Sequence, residues 1–391
     1  NVDKEGYPLQ PYGVKPNRYS VLDVTDIVYV NPVNTGYSRA TGDKVKREKF
    51  FGIQADIDYL AEWINTFIQR NNRWESPKYL IGESYGTIRV SGLALALQNK
   101  QWMYLNGVIL VSPTELGIHS SRPQSDGRTG PLGASLRLPY FTATAWYHKK
   151  LPDDLQKKFL PQVLALSEDY SINQLMPLMA KGNSATESEK LEAAKTMSRF
   201  SGISEKAIMS YNLDVPTTFF WKELLGEEGF TIGRLDSRYK GIDKIAGGDR
   251  PDYWAELTSW NHSFAPAINY YFKNVLKFET DVKYNLFGPV YPWDWKNNNS
   301  GESLRKAMAA NPYLHTMIQS GYYDGATRYF DAKYTMWQLD PSGKMKDRLS
   351  FEGYRSGHMM YLREVDLIKS NSDIRKFIKK TTPSSTKPAK Y

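Results

Sequence analysis

Between residues 50 and 71 the apolar side chains Ile53, Ile57, Leu60, Trp63, Ile64 and Phe67 recur every three or four positions, and the spacing predicts an amphipathic helix of about five turns. Before it, residues 26–30 form a β-branched and aromatic run closed by Asn31 and Pro32, which predicts a buried strand ending in a loop. Residues 79–81 give a second short strand, residues 87–98 an Ala- and Leu-rich helix, and residues 105–111 a third strand. Strand, helix, strand, helix, strand implies an α/β layer with a mostly parallel central sheet, because parallel neighbours need crossover helices.

From residue 138 to residue 242 the pattern turns helical and loop-like, with helices expected over 153–166, 187–198 and 204–211 and no convincing buried strand. This stretch reads as an inserted helical cap. The α/β pattern then resumes: a helix over 264–276, another over 303–310, a strand at 314–319, a helix at 324–338, a strand near 346–352 and a terminal helix at 362–380. The expected organisation is a core in two parts, residues 1–137 and 243–380, interrupted by the cap at 138–242 and followed by a loose Pro-, Ser-, Thr- and Lys-rich tail at 381–391.

Composition narrows the function classes. With 41% hydrophobic and 24% charged residues in 391, and no apolar run approaching the ~18 needed for a transmembrane helix, the chain reads as globular and neither membrane-spanning nor disordered. Lys and Arg exceed Asp and Glu by 51 to 42, yet the basic residues are interspersed with acids. The densest clusters, residues 44–49 and 375–380, fit solvated faces, so no nucleic-acid partner is expected. There is no cysteine, so any covalent catalyst must use oxygen or nitrogen. No metal or nucleotide fingerprint occurs, so no cofactor is expected.

Gly82-Glu83-Ser84-Tyr85-Gly86 matches G-x-S-x-G, in which a sharp strand-to-helix turn pushes a serine hydroxyl out over the sheet. The strand before it and the helix after it supply the setting that the motif needs. The competing reading is a serine that merely caps the helix. A serine nucleophile needs a base, and a base needs an acid to orient it. Of five histidines, His315 falls in an apolar strand pattern, and His119, His148 and His262 sit in less suitable surroundings. His358 lies in a Gly-flanked turn after a late strand. Asp324 follows the 314–319 strand in a turn between Gly321 and Gly325, with Asp331 and Asp340 as competitors. The order Ser84, Asp324, His358 is that of an α/β-hydrolase.

These residues resemble the serine carboxypeptidases, particularly the bacterial ones. Residues 82–86 are similar to that family's G-E-S-Y-[AG]-G, residues 31–38 to its D-x-P-x-G-x-G-[FY]-S, and Gly357-His358-Met359 to the motif around its base; the similarity extends through residues 140–148 and 233–238. Thr87, Asn31, Asn34 and the pair Met360-Tyr361 depart from the family pattern, and Tyr361 alters the expected cleft.

The resemblance implies an α/β-hydrolase fold and a secreted or periplasmic peptidase that removes C-terminal residues from peptides. It implies Ser84 as nucleophile, His358 and Asp324 as base and orienting acid, Glu83 as the grip on the terminal carboxylate, and the Tyr85 N–H as one oxyanion donor. A carboxyl recognising a carboxylate requires a shared proton. The family's second oxyanion donor comes from an N-G-G-P-G loop, and no such run occurs in these 391 residues. The expectation is that an N-terminal fragment of the same precursor carries it and docks on this chain. An esterase or acyltransferase using the same acyl chemistry, and a catalytically silent binding protein, are the alternatives.

Overall fold

The computed structural model describes residues 1–42, 45–118 and 130–384, and in it the apolar runs pair into a four-stranded, wholly parallel sheet. In chain order the strands are β1 (Tyr79–Glu83), β2 (Gly107–Val111), the two-residue antiparallel ribbon β3 (Thr231–Ile232) and β4 (Lys240–Gly241), then β5 (His315–Gly321) and β6 (Leu349–Tyr354). The sheet order is β1-β2-β5-β6, and Glu83, Val111, Gln319 and Glu352 lie in register near its C-terminal edge. β2 is buried at all five positions, as expected of a central strand covered on both faces.

One face is covered by the helices Ile53–Arg70, Tyr85–Gln101 and Ser300–Ala310, which bury Ile57, Leu97, Leu304 and Met308 against Leu110 and Ile318. Gly92 lets the first two approach closely, since a Cβ there would strike Ile57. The helix Glu364–Thr381 covers the other face, packing Phe377 on Ile109 and Met317. Sheet and flanking helices thus form an α/β layer. No helix among the described residues is long and apolar enough to cross a membrane.

Residues 26–30 are not a strand. They run as exposed coil, with Tyr29 90% exposed, and Asp26 pairs with Arg73 at 2.5 Å. Their composition suits a strand, but β-propensity is realised only against a pairing neighbour, and β1 is the sheet's edge among the described residues. The helix expected at 324–338 begins only at Tyr329, because Asp324 draws the following amides into a turn. The expected 153–166 helix divides into Asp153–Gln156 and Leu160–Tyr170, where Pro161 sits in the first turn of a new helix.

Between β2 and β5 the chain is mostly helical. The helix Gly130–Tyr147 begins eight residues before the expected cap boundary and carries Leu138, Phe141 and Ala145 into a second core with Met197, Phe220 and Trp221. The β3–β4 ribbon, with Thr231 and Ile232 buried, was not legible in the sequence. His119, Lys44 and tail residues 385–391 lie outside the described residues.

Candidate active site

β1 delivers the chain to Ser84, whose φ of 55° and ψ of −123° place a non-glycine residue in a costly backbone region. Two contacts hold it there: its N–H donates to the Val111 carbonyl at 3.0 Å, and its carbonyl accepts from the Thr87 hydroxyl at 2.6 Å. Gly82 makes the turn possible, since a Cβ there would run into the Gly86 carbonyl. Although Ser84 occupies the N-cap position of Tyr85–Gln101, its side chain makes no capping hydrogen bond. The hydroxyl is therefore not used in capping the helix. Tyr85 opens the helix, so its N–H has no intrahelical acceptor. Its ring is wedged edge-on against Trp293 and Trp295, at centroid distances of 5.1 and 5.7 Å.

Asp324 stands three residues beyond β5 and is fully buried. Its Oδ1 accepts the N–H groups of Ala326 and Thr327 at 2.8 and 3.0 Å; its Oδ2 accepts the Thr327 hydroxyl at 2.6 Å and faces His358 Nδ1 at 2.6 Å. With Nδ1 protonated and donating to this carboxylate, Nε2 becomes the basic atom of the ring. Burial opposes a charge on His358, but the Asp324 carboxylate outweighs it, and the imidazole pKa lies above its ordinary value.

The loop that carries His358 is held from several sides. The His358 N–H donates to the Leu235 carbonyl at 2.7 Å and its carbonyl accepts the Ser112 hydroxyl at 2.7 Å. Val111 and Ser112, consecutive residues at the end of β2, thus anchor both the Ser84 turn and the His358 loop. The Gly357 N–H donates to Asp236 at 3.2 Å, and Asp236 is clamped by the buried Arg238 at 2.6 Å. Glycine is required at 357, where a Cβ would collide with Leu235 and Asp236.

Glu83 is half-buried beside Ser84 and accepts the Tyr361 hydroxyl at 2.8 Å. Burial pushes its carboxyl above the ordinary range, against the pull of His358 and the Tyr361 hydrogen bond. The structure therefore joins Asp324 to His358 and Glu83 to Tyr361 by hydrogen bonds. It places Ser84 in a cleft of about 520 Å³ that Ala326 and Thr327 of the acid loop also line. No hydrogen bond links Ser84 to His358. The competitors are otherwise engaged: Asp331 lines the same cleft but pairs with Arg328 at 2.7 Å, Asp340 caps the 342–345 turn, and His148 bonds the Ser237 carbonyl at 2.7 Å. Among the described residues no cluster of His, Asp and Glu could hold a metal ion.

Ser112 has no signature of its own in the sequence; residues 233–238 and Tyr361 are marked there only by the resemblance and the departure from it, which say nothing of the bonds that Leu235, Asp236 and Tyr361 make. In the fold the charges of Asp236 and Arg238 are buried and paired with each other.

Glu256 supports the same loop. Its Oε1 accepts the Leu235 N–H at 2.8 Å, while its Oε2 is buried with no partner among the described residues. Burial pushes its carboxyl up to about 7, and Asp236 adds to the shift while the Leu235 N–H and Arg234 oppose it. A carboxyl raised on folding stabilises fully below its unfolded pKa, about 4.3, and that stability is lost as pH rises through the folded value. Glu256→Gln keeps the acceptor and removes the titration. The variant should gain about 2–3 kcal/mol over the parent between pH 5 and pH 8 in denaturant unfolding. Parallel pH profiles for the two proteins would show that Glu256 does not titrate in this range.

No known family and no curated protein matches the chain by sequence. Among solved structures it is similar to the crystal structure of VinJ, with a TM-score of 0.33 and 14% identity over 90% of this chain and 79% of that one.

Proposed function

We propose that the chain is a serine carboxypeptidase built on an α/β-hydrolase core, with Ser84 as nucleophile, His358 as base, Asp324 as its orienting acid and Glu83 as the grip on the substrate's terminal carboxylate. One observation carries the reading: a strained serine whose hydroxyl does not cap the helix stands at the same sheet edge as a buried Asp–His pair, with a half-buried carboxyl next to it.

In this mechanism Ser84 Oγ attacks the scissile carbonyl while His358 Nε2 takes the hydroxyl proton. The Asp324 carboxylate stabilises the imidazolium that forms. The Tyr85 N–H is aimed at the developing oxyanion. His358 then passes the proton to the departing amine, leaving an acyl group on Ser84. A water, deprotonated by the same Nε2, releases the acyl product and regenerates the serine.

Glu83 gives the reading its exopeptidase character. Two bare carboxylates repel in a half-dry cleft, so recognition requires Glu83 to hold a proton, and its burial keeps that proton to higher pH than an exposed glutamate would. The kcat/KM for free peptides should therefore fall on the alkaline side as Glu83 ionises. Esters of the same peptides should show only the rise that accompanies deprotonation of His358. Glu83→Gln, which keeps a neutral hydrogen-bonding group but cannot titrate, should erase that alkaline fall. It should also lower kcat/KM for free peptides about tenfold or more while leaving the esters within about threefold. If neither peptides nor their esters are cleaved but simple acyl esters are, the site belongs to an esterase or acyltransferase.

A further inference from the structure

The cleft that exposes Ser84 is lined by four charged side chains, Glu115, Arg234, Arg328 and Asp331. Arg328 and Asp331 neutralise each other through two contacts, Nε to Oδ2 at 2.7 Å and Nη2 to Oδ1 at 3.2 Å, and Arg328 also donates to Thr217. Arg234 is different. No carboxylate pairs with it and no side-chain hydrogen bond is made by it among the described residues, although it is half-buried. Its one side-chain contact of note is with the Trp254 ring, whose centroid lies 5.7 Å from the guanidinium carbon.

The guanidinium nitrogens of Arg234 keep access to solvent at the cleft, so an incoming anion need displace only water to reach them. The aromatic platform restrains the side chain, and the backbone on both sides is fixed: the Gly233 N–H bonds the Tyr239 carbonyl at 2.9 Å, the Arg234 carbonyl accepts the Gly325 N–H at 2.9 Å, and the next residue, Leu235, holds the His358 N–H. The cation is thus positioned by the same segment that positions the base, and it shares a cleft with the nucleophile. The nearby acid, Glu256, is directed at the Leu235 N–H. Glu256 lies near enough for the two charges to feel each other, but no carboxylate forms an ion pair with Arg234 among the described residues, and a planar fork of donors at a cleft matches a carboxylate in shape and charge.

We propose that Arg234 binds a carboxylate of the substrate; the proposal rests on Ser84 being the nucleophile of a peptide hydrolase. That carboxylate has two possible sources, an acidic side chain on the acyl side of the scissile bond or the terminal carboxylate itself, and both are read by the same measurement. Peptides carrying Glu or Gln at the acyl-side position are prepared as free acids and as C-terminal methyl esters, and kcat/KM is measured for the parent, Arg234→Gln and Arg234→Lys. The Glu:Gln ratio is internal to each preparation, so loss of folded protein cancels from it.

If the side chain is the ligand, the parent prefers Glu by about 10–100-fold on the esters, Arg234→Gln brings the ratio to within about threefold of one, and Arg234→Lys retains part of the preference. If the terminal carboxylate is the ligand, Arg234→Gln lowers kcat/KM on free acids with either residue and spares the esters. A variant that changes none of the four substrates, or all four alike, overturns the proposal. Calorimetric binding of the Glu free-acid peptide to the Ser84→Ala protein, with and without Arg234→Gln, reads the same site without catalysis. A tenfold weaker affinity on removing Arg234 upholds the carboxylate site even if a fluorophosphonate fails to label Ser84 in the parent, the result that would defeat the hydrolase reading alone.

Discussion

Ser84→Ala is expected to lower kcat by a factor on the order of 10⁴–10⁶, because in the proposed mechanism the whole acyl-transfer sequence depends on one oxygen and no cysteine is present to replace it. A fluorophosphonate should label the parent stoichiometrically at Ser84 and leave the variant unmodified. The backbone sharpens the test. Ser84 is held at a positive φ by contacts from Val111 and Thr87, so the strain is stored at this residue. Ser84→Gly should therefore be as inactive as Ser84→Ala and yet more stable than it by about 1 kcal/mol, since glycine enters that region without a Cβ penalty. Full activity in either variant would remove the nucleophile from the proposed mechanism. Equal stability of the two would show instead that the turn carries no strain.

What the sequence disclosed, and what it hid, follows from the range of the interactions. The turn at Ser84 was legible because most of what shapes it is local: a strand ending at Glu83, two glycines and a helix beginning at Tyr85, with only the Val111 carbonyl reaching it from the neighbouring strand. Asp324 and His358 were legible more weakly, from their places after β5 and β6, because loops that follow parallel strands gather at one edge of the sheet. Ser112 was not. Its role arises from a contact across 246 residues, and nothing about a serine after a buried strand announces which carbonyl it will bond. The same is true of Gly357 and Asp236, 121 residues apart. Residues 26–30 failed in the opposite sense. Their run of β-branched and aromatic side chains suits a buried strand, but a strand is completed by its neighbour, and none pairs with them here. Glu256 sits in a helical segment whose pattern gives no hint that one carboxyl oxygen is buried without a partner.

Asp324→Asn should reduce kcat by on the order of 10⁴ while leaving the cleft intact. The amide can occupy the same volume and can still accept the Ala326 and Thr327 N–H groups through its oxygen. Those two bonds fix its orientation, so the NH₂ group is turned toward His358 Nδ1, where a carboxylate oxygen now lies at 2.6 Å. A donor facing Nδ1 favours the tautomer protonated on Nε2, the atom that must be free to take the serine proton. Thr327 cannot repair this, because its hydroxyl, 3.2 Å from Nδ1, is drawn into the same contest for acceptors. The pH profile separates this orienting role from simple loss of structure. In the parent, Asp324 raises the pKa of His358 against the effect of burial, so activity should rise with pH only as the imidazole loses its proton above its ordinary value. Without the carboxylate, burial prevails, and the residual kcat/KM should have its acid limb displaced toward lower pH. Stability should change with the matching sign. The contribution from the raised imidazole pKa is fully present below the unfolded value and is lost as pH passes the folded one, so Asp324→Asn should be destabilising chiefly at acid pH. A variant whose activity falls while the acid limb stays in place would assign Asp324 a structural role and leave the orientation of His358 to another residue.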